Sequence, residues 1–545
     1  MSPVEGTHTS ASTFNQDETV YIDLAWINNS ENPAGTHVGR LYDNDVLIGT
    51  TNPTTLDAYE WAGVSDFAFL FADAGWHTLR LVIDEFDEVG ETNESNNSCQ
   101  IEVLVNCTDG PAYFGDGCSV VGPDVSPLRT YCSDGQFQLR GLIYAIPDET
   151  FVRTFQFSTF DPLPGTMPTD SDNHWFDPWI CDHVEGHANA LITQEYMAYY
   201  LNRESFDGNR SDMIQTVNYS GPTEGNPTGP DCVDNAYYSP EAQQCRFCVV
   251  DNPNRNSTGV AIDIVAHEWA HGILHTSQGN LNYARESGAL NEGYADAFGA
   301  TVRAYAEGYL PDIWLFGEDS FKPANVGIRY LADPTVGGRP DFYLDEGEGW
   351  IDVNDCDPTP ANDYCGVHTN SGVPNKMFYL LSDGGTHFGI TVGAIGVYEA
   401  FNVLYRASQS HWMPNDGFRD AMQGMCKAGD ELDPSGGYKK QSGLAWAAVG
   451  VCDCPSMADI DHSGVINVFD IVKVVGRAFR QDAEITDDWC PFEATDVDCS
   501  GITDVFDVVA AVEVGFRNGL PTTYFCHCAP SHELQSPALA LSHSK

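Results

Sequence analysis

Between residues 15 and 106, apolar and polar side chains alternate in short runs. Val20-Tyr21-Ile22-Asp23-Leu24-Ala25-Trp26 and His77-Thr78-Leu79-Arg80-Leu81-Val82-Ile83 both follow a period of two, the pattern of a strand with one buried face. The run from Leu41 to Ile48 carries Asn44 near its centre and predicts a hairpin that turns there. Short strands at this spacing predict a small β-sandwich over residues 1–106. A Cys-, Gly- and Pro-rich stretch follows at 107–126 and reads as a linker. From 127 to 452 the chain is strand-rich and then helical: Ile262–Ile273 has the length of a helix, and Asn291–Tyr305 that of a second. Residues 453–528 contain an internal repeat, and 529–545 form a polar tail that reads as disordered. The expected fold class is multidomain: a β-sandwich, a larger α+β segment with a β-rich and a helical lobe, and a small α-helical pair built on loops.

Composition narrows what such a chain can do. At ~100–200 residues per domain, 545 residues suggest three or four domains. The 79 acidic and 25 basic residues leave a net charge of -54, which argues against nucleic acid as a partner. The same balance fits a solvated acidic surface in which some carboxylates bind calcium. Seventeen cysteines point to an oxidising compartment. Cys356 with Cys365 is the expected disulfide, and Cys245 and Cys248 read as disulfide partners rather than a redox motif. No run of ~20 apolar residues exists, so no membrane span is expected. Residues 1–18 lack the basic start and apolar stretch of a signal peptide, so Met1 is not expected to be the natural start of a secreted chain.

One short motif carries chemistry. In His267-Glu268-Trp269-Ala270-His271, residues four apart share a helix face, so both imidazoles can reach one zinc ion with Glu268 beside them. A catalytic zinc needs a third protein ligand. A histidine continuing the same helix does not supply it, because Leu274 stands where that pattern needs glycine. Glu286 to Asp296 instead offers Glu292, with Asp296 one turn beyond to orient a ligand histidine.

These residues resemble the thermolysin-like family of zinc metallopeptidases, whose pattern is HExxH followed by ExxxD. The resemblance covers residues 127–452 and implies a two-lobed protease with a β-rich N-lobe and a helical C-lobe. It implies that His267, His271 and Glu292 bind zinc, that Asp296 holds His267, and that Glu268 is the general base acting on a zinc-activated water. Asp363-Tyr364-Cys365-Gly366-Val367-His368 resembles the family's second histidine segment, so His368 would stabilise the oxyanion and Asp363 would orient it. Tyr283 matches the tyrosine sharing that role, although the spacing from His271 to Glu292 suggests a one-residue insertion. Asn235-Ala236 resembles the edge strand that pairs with substrate backbone, and Arg329 the arginine that grips a substrate carbonyl. Ile264 and Ile328 fall at pocket-lining positions, implying preference for a bulky hydrophobic residue on the amine side of the cut.

The family also binds calcium beside this helix. Asp263, Asp312, Glu318 and Asp319 match acidic ligands there, but Arg303 stands where a glutamate is expected. Its charge would repel a second cation, so one calcium is expected rather than two. In the repeat, Asp459, Asp461, Ser463, Asn467 and Asp470 recur as Asp496, Asp498, Ser500, Asp504 and Asp507. Oxygen ligands at these spacings with glycine at position six suit a calcium loop, and the pair resembles dockerin repeats, implying two further calcium ions and docking to a cohesin-like module. Glu88 to Asn97 with the following strand resembles the end of CARDB adhesion modules. The expected protein is a secreted or cell-surface, monomeric zinc endopeptidase. The alternative is a non-catalytic adhesion protein with calcium-dependent docking.

Overall fold

The computed structural model describes residues 1–7, 10–86, 89–90, 93–143, 150–222, 232–322, 326–344, 347, 349–354, 356–451, 460, 467–480, 482, 495 and 503–517. The chain divides into two compact units, Met1–Leu142 with Phe151–Ala188, and Ile143–Thr150 with Asn189–Lys545.

The first unit begins with nine strands: β1 (Thr13–Asn15), β2 (Thr19–Ile27), β3 (Ala34–His37), β4 (Gly39–Asp43), β5 (Val46–Thr50), β6 (Thr54–Leu56), β7 (Trp61–Leu70), β8 (Gly75–Ile83) and β9 (Ser98–Asn106). One sheet runs β1-β9-β8-β4-β5, and β2 pairs with β7. Both predicted period-two runs are strands: β8 turns His77, Leu79 and Leu81 inward, and β2 turns Val20 and Ile22 inward. With Phe14, Leu41, Phe71, Val103 and Val105 they make one dry core. The hairpin turns at Asn44 and Asp45, whose φ values of 45° and 64° are those of a two-residue loop between twisted strands.

Residues 110–117, expected as linker, form a strand. β10 (Gly110–Gly117) pairs antiparallel with β11 (Val125–Ser133) in a sheet that also holds β12 (Gln136–Gln138), β15 (Thr169–Asp170) and β16 (His174–Trp175), while β13 (Arg140–Leu142) pairs antiparallel with β14 (Phe151–Gln156). Glycine here permits close approach rather than a loop: a Cβ at Gly115 would sit 2.3 Å from the Asn173 carbonyl oxygen. Disulfides tie the chain before β10 to β11 (Cys107–Cys132) and the chain after β10 to the helix that begins at Cys181 (Cys118–Cys181).

The chain passes between units within α1 (Cys181–Tyr200). Two histidines at its start are buried. Neither ring nitrogen of His183 has a hydrogen-bond partner among the described residues, and His187 stands between Thr154 Oγ1 at 2.9 Å and the Arg129 carbonyl at 3.1 Å. Burial pushes both imidazoles down to about 4. Each therefore contributes stability above its unfolded pKa of ~6.5, and that stability is lost as pH falls through the window from 6.5 to 4. Each proton is worth ~1.4 kcal/mol per pH unit in that window. His183→Leu should accordingly flatten the loss of melting temperature between pH 6.5 and 5, while an unchanged slope would remove His183 from the account.

In the second unit, β17 (Met213–Tyr219), β19 (Gln244–Cys248) and β18 (Ala236–Ser239) lie side by side in that order, with β18 at the outer edge. Cys248 bonds Cys232, and Cys245 is a buried free thiol. Cys245 and Cys248 are thus not bonding partners, because residues three apart on a strand face opposite ways. Then come α2 (Ile262–His275), α3 (Arg285–Glu307), α4 (Asp363–Asn370), α5 (Gly372–Asp383), α6 (Val397–Ser410), α7 (Phe418–Leu432) and α8 (Gly437–Ala448), and later α9 (Val468–Arg480) and α10 (Val505–Arg517).

The two helices carrying the zinc motif have different logic. α2 is apolar nearly all round and anchors Trp269 against Phe206 and Tyr238. α3 is buried from Ser287 to Ala304 although it carries many polar residues. Several have partners: Ser287 donates to the Asn282 carbonyl, Thr301 to the Ala297 carbonyl, and Asn291, Glu292, Asp296 and Arg303 join networks described below. Three glycines bring its neighbours close. A Cβ at Gly288 would meet Val367 at 2.4 Å, one at Gly293 would meet Pro374 at 2.5 Å, and one at Gly299 would meet the Asp263 carbonyl oxygen at 2.5 Å.

Candidate active site

α2 presents His267 and His271 on one face, and α3 crosses it at Glu292. His267 Nε2 lies 3.1 Å from His271 Nε2, 3.6 Å separates it from Glu292 Oε2, and 3.6 Å separates His271 Nε2 from Glu292 Oε1. Ligands ~2.0–2.1 Å from a tetrahedral zinc stand about 3.3–3.4 Å apart, so the donor set fits that ion. Among the described residues, these three form the one group of His, Cys, Asp or Glu side chains close enough to share a metal.

The far side of each ligand is fixed. His267 Nδ1 lies 2.9 Å from Asp296 Oδ1, and His271 Nδ1 lies 2.7 Å from Asn291 Oδ1. The Asn291 oxygen places the His271 proton on Nδ1, the Asp296 carboxylate beside His267 Nδ1 favours the same tautomer there, and Nε2 of each ring is left to face a metal. Burial, then the charge of His267, lowers His271 to about 4, keeping it neutral. Burial alone would raise the Glu292 carboxyl, but His368, Arg329, His267 and His271 hold it well below the usual carboxylate range.

Glu268 is not among the metal donors. It is 6% exposed, and burial raises its carboxyl to about 7 against the opposing charge of His267. It lines the same cleft, of about 900 Å³, as the ligands.

The remaining expected site residues converge on that cleft. Tyr283 donates to Glu292 Oε1 at 2.5 Å and stands 3.1 Å from His368 Nε2. His368 Nδ1 lies 2.5 Å from Asp363 Oδ1, and its backbone N–H donates to Asp363 Oδ2 at 2.9 Å. Tyr283 is thus in reach of both Glu292 and His368. Asn235 and Ala236 line the cleft where β18 exposes its edge, and Ile264 and Ile328 line it elsewhere. Arg329 donates to Glu292 Oε2 at 2.9 Å and to Asp296 Oδ1 at 2.8 Å.

Sequence reading missed Asn291, Asn375, which donates to Asp296 Oδ2 at 2.8 Å, and Arg339, which donates to the His368 and Ile328 carbonyls. Asn291 had a signal, since a ligand histidine needs a partner for its second nitrogen. The other two come from distant segments with no pattern to mark them.

The acidic cluster beside α2 contains a guanidinium. Arg303 is 4% exposed, lies 3.8 Å from Asp263 and 3.4 Å from Glu318, and donates to Glu307 at 2.9 Å. It also donates to the Asp312 and Leu315 carbonyls at 3.3 and 3.2 Å. Asp263 accepts the backbone N–H groups of Ile264 and Gly317. Two carbonyls and three carboxylates thus already face one cation, with Asp312 and Asp319 close to the same carboxylates.

In the C-terminal repeat, Asp459, Asp461, Ser463, Asp496, Asp498 and Ser500 lie outside the described residues. Asp470 is fully buried and accepts the Ile460 and Asn467 N–H groups at 2.7 and 2.9 Å. Asp507 repeats this with Asp504 at 2.6 Å. Asn467 and Asp504 cap Phe469 and Phe506, which are 71% and 66% exposed at equivalent places.

Family models described as the thermolysin metallopeptidase catalytic domain and alpha-helical domain match residues 115–275 and 279–451. Bacillolysin of Brevibacillus brevis is 34% identical over 318 residues, covering 57% of this chain and 54% of that protein. The precursor of protealysin, a metalloproteinase from Serratia proteamaculans, is 24% identical with a TM-score of 0.43, covering 56% of this chain and 89% of its own. A CARDB domain of Pyrococcus furiosus, solved with di-metal ions, is 20% identical with a TM-score of 0.17, covering 17% of this chain and 79% of its own. The chain spans about half the length of the curated relatives it matches.

Proposed function

This chain belongs to the thermolysin family of metallopeptidases, and from that membership we propose that it is a secreted, zinc-dependent endopeptidase. The supporting observation is the meeting of His267, His271 and Glu292 at zinc-ligand spacing with a buried, non-ligand glutamate beside them. Zinc held there would polarise a scissile carbonyl and lower the pKa of a water molecule to ~7.

The chain's own groups do the rest. Glu268 accepts the proton of the attacking water and delivers it to the leaving amine. His368 and Tyr283 donate to the oxygen on which charge develops, and Asp363 holds His368 for that task. Ala236 and Asn235 offer an unpaired strand edge to which an extended peptide can add. Arg329 Nε has no partner among the described residues, so its N–H is among the donors left for a substrate carbonyl. Ile264 and Ile328 give an apolar wall for a bulky residue on the amine side of the cut.

Around this protease, we take residues 1–106 as a CARDB-like sandwich, 127–452 as the catalytic domain and 453–528 as paired dockerin-like loops. Those loops would bind two calcium ions and present Phe469 and Phe506 to a cohesin-like module. In place of the single calcium expected beside α2, we read Arg303 as the cation of that acidic cluster.

The test is hydrolysis of an end-blocked, internally quenched peptide with a central Gly-Leu bond. Zinc-loaded protein should cut before the leucine, and zinc-stripped protein should not. A folded, zinc-loaded chain that cleaves neither this peptide nor a broad peptide library would replace the endopeptidase reading with the adhesion one.

A further inference from the structure

Asp363 reaches His368 through an uncommon stretch of backbone. Asp363, Tyr364, Cys365 and Gly366 have φ of 55°, 49°, 72° and 77°, with ψ between 34° and 44°. They form one turn of left-handed helix, and three of the four are not glycine. Each such residue pays for the clash of its Cβ with the neighbouring carbonyl, so the turn persists only where its surroundings over-determine it.

Its surroundings do so. Cys365 is fully buried and bonds Cys356, nine residues earlier. Asn362 accepts the Cys365 N–H and caps the segment through Thr359. The Cys356 carbonyl accepts from Arg285 at 2.8 Å, the first residue of α3, which also carries Glu292. Breaking the disulfide would therefore free one end of the turn whose other end sets Asp363 against His368.

We propose that Cys356–Cys365 is a positioning pair for the catalytic His368: it holds the left-handed turn so that Asp363 keeps His368 aimed at the metal site. This rests on the endopeptidase reading. A closed loop of nine residues removes less chain entropy than the 63-residue separation bridged by Cys118–Cys181, so the expected role is local geometry rather than global stability.

The test compares full-length, zinc-loaded wild type with Cys356→Ser/Cys365→Ser on the blocked Gly-Leu peptide. Expected are a kcat lower by about 10- to 100-fold, a KM within about twofold, and an unchanged zinc content. Two further variants separate positioning from damage. In a His368→Ala background, the same cysteine changes should cost less than about threefold, because the group being positioned is gone. Cys356→Ser/Cys365→Gly should recover several-fold in kcat over the serine pair, since glycine adopts the left-handed turn freely. A kcat within twofold of wild type, an equal loss in the His368→Ala background, or failure of both cysteine variants to fold would each overturn the proposal. Inactive wild type would instead overturn the endopeptidase reading.

Discussion

Glu268→Gln should leave a folded chain with its zinc bound and a kcat lower by roughly 10²- to 10⁴-fold on the Gly-Leu peptide. The substitution keeps the side chain's volume, so α2 should not notice it. It removes the one property the site lacks elsewhere: a buried base that is not a metal donor. The carboxyl sits at about 7 because burial penalises its charged form, which matches its proton affinity to transfer near neutral pH. Glutamine offers no proton acceptor of comparable strength. KM should change little, since the loss falls on the transition state. Steady-state kinetics with metal analysis decides the matter. Activity within tenfold of wild type would remove Glu268 as the base, and loss of zinc would show that the residue is structural.

Arg303→Met is expected to be the most damaging change outside the catalytic centre. Asp263 is 2% exposed, and burial has already raised its carboxyl to about 6 despite the nearby guanidinium. Burial raises Glu318 and Asp319 too, again against Arg303. Without the guanidinium, buried carboxylates face each other with no counter-charge, and removing one partner of such a network costs ~3–5 kcal/mol. That corresponds to a fall on the order of 10 °C in the melting temperature of the protease part. In wild type, withdrawing calcium while zinc is supplied should leave the same transition within a degree or two, because the cation that organises the cluster is covalently part of the chain. A loss below ~1 kcal/mol in the variant would sink this account, and a large calcium effect on the wild-type transition would restore an ion to the cluster.

What could be read from the sequence was whatever a local period or spacing imposes. Alternation gave β2 and β8, and four-residue spacing put His267 and His271 on one face. α3 was read short, from Asn291 rather than Arg285, because its buried polar residues break any apolar stripe. Those residues are satisfied by partners far along the chain, such as Asp296 by Arg329 and Asn375, and no window contains both ends of such a contact. β10 was read as linker because glycine signals turns by composition, whereas Gly115 serves close packing against Asn173. Cys356 and Cys365 lie in one short loop and were paired correctly, while Cys232–Cys248 required knowledge of which strand faces meet. The left-handed turn at Asp363 had no signal at all, since Tyr364 and Cys365 are poor residues for it.

The three pinched glycines of α3 bear on how this molecule could be re-engineered. Gly288 and Gly299 are eleven residues apart and lie on one face of the helix, with Gly293 on another, and a Cβ at each would meet a different neighbour: Val367 at Gly288, the backbone of α2 at Gly299 and Pro374 at Gly293. A larger residue at any of these three positions would have to move a segment packed against the helix that carries Glu292. Grafting the Glu292 and Asp296 pair onto another scaffold would likewise mean carrying α2, α4 and α5 with it. Variation is better directed to the cleft rim and the strand edge at Ala236, where side chains can change while the helical frame stays put.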